Sequence, residues 1–137
     1  MPGITDLALL ISSMRPNLVE GAFVYCSVPA TTLADYLHLK PIGLFQEKEG
    51  MTLIVPLEAA RQAGLSTEPA MRMITLDVHS SLEAVGLTAA FATALGSKGI
   101  SANVVAAYYH DHIFVPAADA ERAVAVLRAL SAAQDLP

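Results

Sequence analysis

A single cysteine and a shortage of positive charge are the first features of this chain, and each removes a class of function. Cys26 stands alone among 137 residues, so no internal disulfide and no two-cysteine metal clamp can form. It lies in the apolar run Ala22-Phe23-Val24-Tyr25-Cys26-Ser27-Val28, which reads as a buried, inert thiol. Lys and Arg together number 8 against 13 Asp and Glu, for a net charge of -5 at pH 7. That leaves no basic stripe to neutralise phosphates and argues against nucleic-acid binding. No apolar stretch approaches the ~20 residues of a membrane-spanning helix, and the first cation, Arg15, comes too late for the basic flank of a signal peptide. A cytoplasmic protein without membrane contact is expected.

Charge of either sign is scarce: charged residues make up 15% and hydrophobic residues 54%. So apolar a composition predicts that some surface is covered by a partner or a second copy, and hence a homodimer or higher oligomer. The length suits one ordinary domain or two very small ones packed together.

Leu7, Leu10, Ile11 and Met14 recur at helical spacing, opened by Thr5 as a cap and closed by Pro16. Residues 19–28 then read as one buried strand, rich in β-branched and aromatic side chains until Pro29. A short helix is expected over 31–40, carrying Leu33, Tyr36 and Leu37. Residues 42–46 and 52–55 flank Glu47-Lys48-Glu49-Gly50, where a glycine tolerant of positive φ predicts a hairpin. Pro56 opens a short helix that Gly64 ends. Residues 71–79 alternate with strand period, placing Ile74, Leu76 and Val78 on one apolar face. Ser80-Ser81-Leu82-Glu83 has capping-box spacing, so the next helix is expected to start there and to end near Lys98 and Gly99. Two strands over 103–109 and 112–115 follow, and then a helix with Ala120, Ala123, Val124, Leu127 and Leu130 on one stripe.

The two halves echo each other. Leu53-Ile54-Val55-Pro56 before Leu57-Glu58-Ala59-Ala60-Arg61 parallels Ile113-Phe114-Val115-Pro116 before Ala117-Ala118-Asp119-Ala120-Glu121-Arg122. Both make a strand, a proline turn and an Ala-rich helix, as a duplicated βαββα unit would. The halves divide at 1–68 and 69–137.

Two places in the chain have the residues for chemistry. His110-Asp111-His112 puts two imidazoles two residues apart beside a carboxylate. With His79 or Asp77 from another strand the triplet would make a metal or acid-base site; without them it is the polar tip of a hairpin. The second place is His79-Ser80-Ser81-Leu82-Glu83-Ala84-Val85-Gly86-Leu87, a strand-to-helix junction whose free N–H groups and dipole favour a ligand carboxylate. Gly86 within a helix implies either close backbone approach or tight packing. No Gly-x-Ser-x-Gly elbow, Walker sequence or Gly-x-Gly-x-x-Gly loop is present, and Ser80 and Ser81 beside His79 do not form a triad, because neighbours on a strand face opposite ways. No catalytic residue and no cofactor is assigned.

Ile74-Thr75-Leu76-Asp77-Val78, Val85-Gly86-Leu87-Thr88-Ala89-Ala90 and Leu95-Gly96-Ser97-Lys98-Gly99-Ile100-Ser101-Ala102-Asn103-Val104 together carry a family resemblance. The C-terminal half resembles the ACT domain, a ferredoxin-like module that regulates amino-acid metabolism by binding small ligands, commonly amino acids, at domain or subunit interfaces. The whole chain is similar to a small bacterial family of uncharacterised two-ACT proteins, through residues 45–53, 79–89 and 103–112. Two departures stand out. No strand follows the last helix and the first half opens on a helix, so the halves are expected to complete each other's sheets. The Asp-x-Pro-Gly approach to the ACT helix is replaced by Ser80-Ser81-Leu82-Glu83-Ala84-Val85-Gly86.

The resemblance implies an α+β fold of two ferredoxin-like ACT repeats, with antiparallel sheets packed against helices. It implies a non-catalytic regulator whose amino-acid ligand changes assembly with itself or with a metabolic enzyme. The ligand carboxylate is expected on N–H groups at Val85, Gly86 and Leu87, with Asn103 and the Val104 backbone reading its other end. Ser80, Ser81 and Glu83 complete the expected site, Ser81 or Glu83 taking the ammonium group or a polar side chain. The competing readings are a metal-dependent or acid-base enzyme using His79, His110, Asp111 and His112, and a ligand-free structural module.

Overall fold

A computed structural model of the protein describes residues 6–78 and 86–133. In chain order these form helix α1 (Leu7–Ser13), strands β1 (Arg15–Leu18) and β2 (Phe23–Val28), and a 3₁₀ segment (Ala30–Leu39). Strands β3 (Gly43–Glu47) and β4 (Gly50–Pro56), helix α2 (Leu57–Gln62) and strand β5 (Met71–Asp77) follow. Helix α3 (Leu87–Ser97), strands β6 (Asn103–Ala106) and β7 (Asp111–Pro116), a 3₁₀ turn (Ala117–Asp119) and helix α4 (Ala120–Ala133) complete the order. The class is α+β, as expected. The chain packs as two compact units, Gly21–Met71 and Met1–Glu20 with Arg72–Pro137.

In the unit formed by 21–71, β4 pairs antiparallel with β2 on one side and β3 on the other. Val24, Cys26 and Val28 alternate inward on β2 and meet Met51, Leu53 and Val55 of β4 beneath Leu39 and Ala60. The hairpin turns at Lys48 and Glu49, with Glu47 opposite Gly50. Gly50 has φ 155°, and a Cβ there would stand 2.9 Å from the Val28 carbonyl oxygen, so the position admits only glycine without movement. Pro56 occupies the N-cap of α2. Gly64, at φ 73°, closes the helix while Leu65 N–H donates to the Ala60 carbonyl at 2.9 Å and Gly64 N–H to Arg61 at 3.2 Å. That pair of bonds satisfies carbonyls the helix end would otherwise leave free.

In the second unit, β5 pairs antiparallel with β1 and stands beside β7, which pairs antiparallel with β6. One face carries Ile74, Leu76, Ile113 and Val115, all fully buried, under α1, α3 and α4. Phe91 and Leu95 of α3 and Leu127 of α4 fill the same core, and the expected α4 stripe holds, with Leu130 packed at its margin. The N-terminal strand β1 thus adds an edge to the sheet of the C-terminal half.

Five expectations are corrected here. The cap of α1 is Asp6 rather than Thr5, which lies outside the described residues; Asp6 Oδ1 accepts from Leu9 N–H at 2.9 Å. Residues 19–28 are not one strand: Gly21, at φ 91°, breaks the run, and β1 ends before it. Pro16, expected only to stop α1, lies within β1, where an edge position tolerates its missing N–H. Gly86 is the N-cap of α3 rather than an interior helical residue, at φ 97°. The strand expected over 103–109 stops at Ala106, because Ala107 N–H donates to the His110 carbonyl at 3.0 Å and closes a turn.

Candidate functional site

The best-defined part of the expected site is the start of α3. No described side chain caps it, the N-cap being Gly86, and the first intrahelical bond runs from Ala90 N–H to the Gly86 carbonyl at 2.9 Å. The N–H groups of the first turn therefore have no partner within the helix, the arrangement that favours negative charge. Leu87 is buried in the core and anchors the helix from below. A Cβ on Gly86 would meet Leu7 Cδ2 at 3.1 Å, so the Leu7 side chain of α1 lies close against this glycine. Leu7, Ala8, Ile11, Gly86, Ala89 and Ala90 line an open, mostly apolar groove of about 730 Å³.

Asn103 and Val104 lie elsewhere. Asn103 opens β6 opposite Phe114, and its Nδ2 donates to the Phe114 carbonyl at 3.3 Å. Val104 packs against the core, while the Asn103 side chain is exposed. Asn103 follows the C-terminal turn of α3 and Gly86 precedes its first residue. Helix α3 itself is about 16 Å long at 1.5 Å per residue. Ser80, Ser81, Glu83 and Val85 lie outside the described residues, as does the expected capping box.

The His-Asp-His triplet is divided between two elements. His110 closes the turn, and Asp111 and His112 begin β7. The turn's exposed tip is Tyr108 and Tyr109, whose rings meet edge to face at 5.0 Å. His112 Nδ1 lies 2.9 Å from Thr75 Oγ1 on β5. His110 Nδ1 is buried with no hydrogen-bond partner among the described residues. Burial lowers the pKa of His112, helped by His110 and opposed by Asp111. Burial raises that of Asp111 against the pull of both imidazoles. Among the described residues no three His, Cys, Asp or Glu side chains converge as a metal would need; His79 is not among them. Cys26 is buried, and desolvation raises its thiol pKa.

Sequence reasoning did not find a cavity between α1 and α4, because its lining comes from residues 12–16 and 128–132 and no local motif links them. No described helix is long and apolar enough to cross a membrane.

Residues 2–72 match a family model described as an ACT domain, and residues 66–129 match a second ACT-domain model. The chain belongs to the ACT-domain family. Its two ACT domains stand in tandem, and the α+β architecture is that of ACT regulatory domains. No curated protein matches the chain. Among solved structures, a Vibrio cholerae protein of unknown function, described as a possible transport protein, is 53% identical. That match covers 91% of this chain and 95% of the other, with a TM-score of 0.84. A protein from Agrobacterium tumefaciens is 14% identical, with coverage of 86% and 89% and a TM-score of 0.71. The ligand-free regulatory subunit of aspartate kinase from Thermus thermophilus is also 14% identical, with coverage of 84% and 95% and a TM-score of 0.58. The last two likenesses concern the fold alone.

Proposed function

We propose that this two-ACT protein is a non-catalytic cytoplasmic regulator that binds an amino acid and changes assembly on binding, with itself or with a metabolic enzyme. The observation that carries the reading is the tandem ACT match over 2–72 and 66–129. The aspartate kinase regulatory subunits of like fold support it. The ligand carboxylate sits on the free N–H groups of Gly86 and Leu87 with Val85, and Ser80, Ser81 and Glu83 take its ammonium group and side chain. Asn103 and the Val104 backbone complete the site.

Gly86 precedes α3 and Asn103 opens β6 after it, and in this reading the ligand draws the first from one subunit and the second from another copy. Ligand binding and self-association are then one event. Exposed apolar side chains support such association: Phe45 is 70% exposed and Tyr109 72%.

A thermal-shift screen against the twenty amino acids, nucleotides and divalent metals tests the proposal, with Gly86→Asp alongside. A ligand at 100 times its dissociation constant adds about 2.7 kcal/mol of stability. The expected result is that one amino acid stabilises the wild type and not the folded variant. Stabilisation by a metal alone moves the function to His110, Asp111 and His112; silence from every compound favours the ligand-free module.

A further inference from the structure

The cavity between the C-terminal ends of α1 and α4 measures about 360 Å³ and is lined by Ser12, Met14, Arg15, Pro16, Arg128 and Ser131, with no carboxylate among the described residues. In a chain with 8 cations against 13 acidic residues, finding two guanidinium groups there without a counter-charge among the described residues is the unexplained feature. Arg15 Nη1 is fixed by the carbonyls of Ser12 at 2.8 Å and Met14 at 2.9 Å, and stands 3.3 Å from Ser131 Oγ. Those bonds satisfy the end of α1 but occupy one nitrogen only. Nε and Nη2 have no partner among the described residues. Asp77 lies directly opposite Arg15 in the β1–β5 ladder, yet the two form no ion pair. Instead the guanidinium is turned toward Ser131. Arg128, exposed on α4, forms no ion pair among the described residues either. Both described ion pairs, Arg61–Glu58 and Arg122–Asp119, lie elsewhere.

We infer that this cavity is a binding site for a small organic anion, held through a carboxylate or phosphate group by Arg15 and Arg128. A planar guanidinium offers two parallel N–H donors to such a group, and the free edge of Arg15 provides them. Arg128 supplies the second charge from the neighbouring helix. The C-terminal ends of α1 and α4 carry partial negative charge, which Arg15 offsets at α1 through its bonds to the last carbonyls. The volume falls within the range of small-molecule sites. The site shares no residue with the one proposed at Gly86 and stands or falls separately.

Thermal denaturation of the full chain with inorganic phosphate and with succinate, each against sodium chloride at equal ionic strength, tests the assignment. At least one anion is expected to raise the melting temperature saturably, and the stronger of the two identifies the preferred group. Arg128→Ala changes an exposed side chain and is expected to weaken binding at least tenfold with an unaltered fold. Arg15→Lys keeps the charge but loses the fork, and is expected to weaken it as well. Gly86→Asp is expected to leave the anion response intact. A response no larger than that to chloride, or wild-type titrations from both arginine variants, would overturn the proposal.

Discussion

Ser131 Oγ lies 3.1 Å from the Ser12 carbonyl oxygen, joining two residues 119 positions apart. It stands at the same distance from the Met14 carbonyl, and its single proton is shared between the two. Ser131 is 6% exposed, a buried polar side chain on a helix face that is otherwise apolar. Its partners explain it: α1 ends there, and its last carbonyls need donors. Ser131→Ala removes one of them and is expected to cost about 1–3 kcal/mol. Urea denaturation with an unchanged m-value checks the figure.

Gly86→Ala is expected to destabilise by about 1–2 kcal/mol, because an L side chain is disfavoured at positive φ. The new methyl would also stand 3.1 Å from Leu7 Cδ2. Leu7→Ala in the same chain relieves that contact and not the backbone conformation. A double-mutant cycle is therefore expected to recover part of the loss.

The pH dependence of stability follows from His112. Its pKa is lowered by burial, so between its folded and unfolded values the unfolded chain binds more protons. Stability is then full above the unfolded value of about 6.5 and falls as the pH drops below it. Asp111, with a raised pKa, has the opposite sign: between its unfolded and folded values, stability falls as pH rises. Equilibrium unfolding of His112→Gln between pH 5 and 8 is expected to show a shallower acid loss than the wild type.

Cys26 is 7% exposed in the core of the 21–71 unit, and burial raises its thiol pKa. Thiolate is the reactive form, so labelling by a disulfide reagent at neutral pH is expected to be slow in the native protein and fast in urea. Equal rates in both conditions would show an accessible thiol.

Much of this fold was legible because local periodicity and tertiary packing agree. The α4 stripe, the inward face of β5 and the Glu47–Gly50 hairpin follow from spacing alone. The errors fall where a long-range partner decides the outcome. Residues 15–18 read as a helix stop because of Pro16, and only β5 makes them a strand. Gly86 looked interior because Ser80 and Glu83 have capping-box spacing, whereas its backbone lies at φ 97°. Of the expected site, Gly86, Leu87, Asn103 and Val104 are placed by the structure. Gly86 and Leu87 belong to the start of α3 whereas Asn103 and Val104 open β6, and no local signal in the sequence relates the two pairs. Arg15 and Ser131 escaped notice for the same reason, since their relationship exists only once α1 and α4 pack together.

Sedimentation velocity of the purified protein, with and without a mixture of the twenty amino acids, tests the central claim most directly, because it reads ligand binding and assembly together. The account predicts a shift in the sedimentation coefficient with the mixture, reproduced by one amino acid alone and lost in Gly86→Asp. An unchanged coefficient across protein concentrations, with no amino acid altering thermal stability, would contradict it.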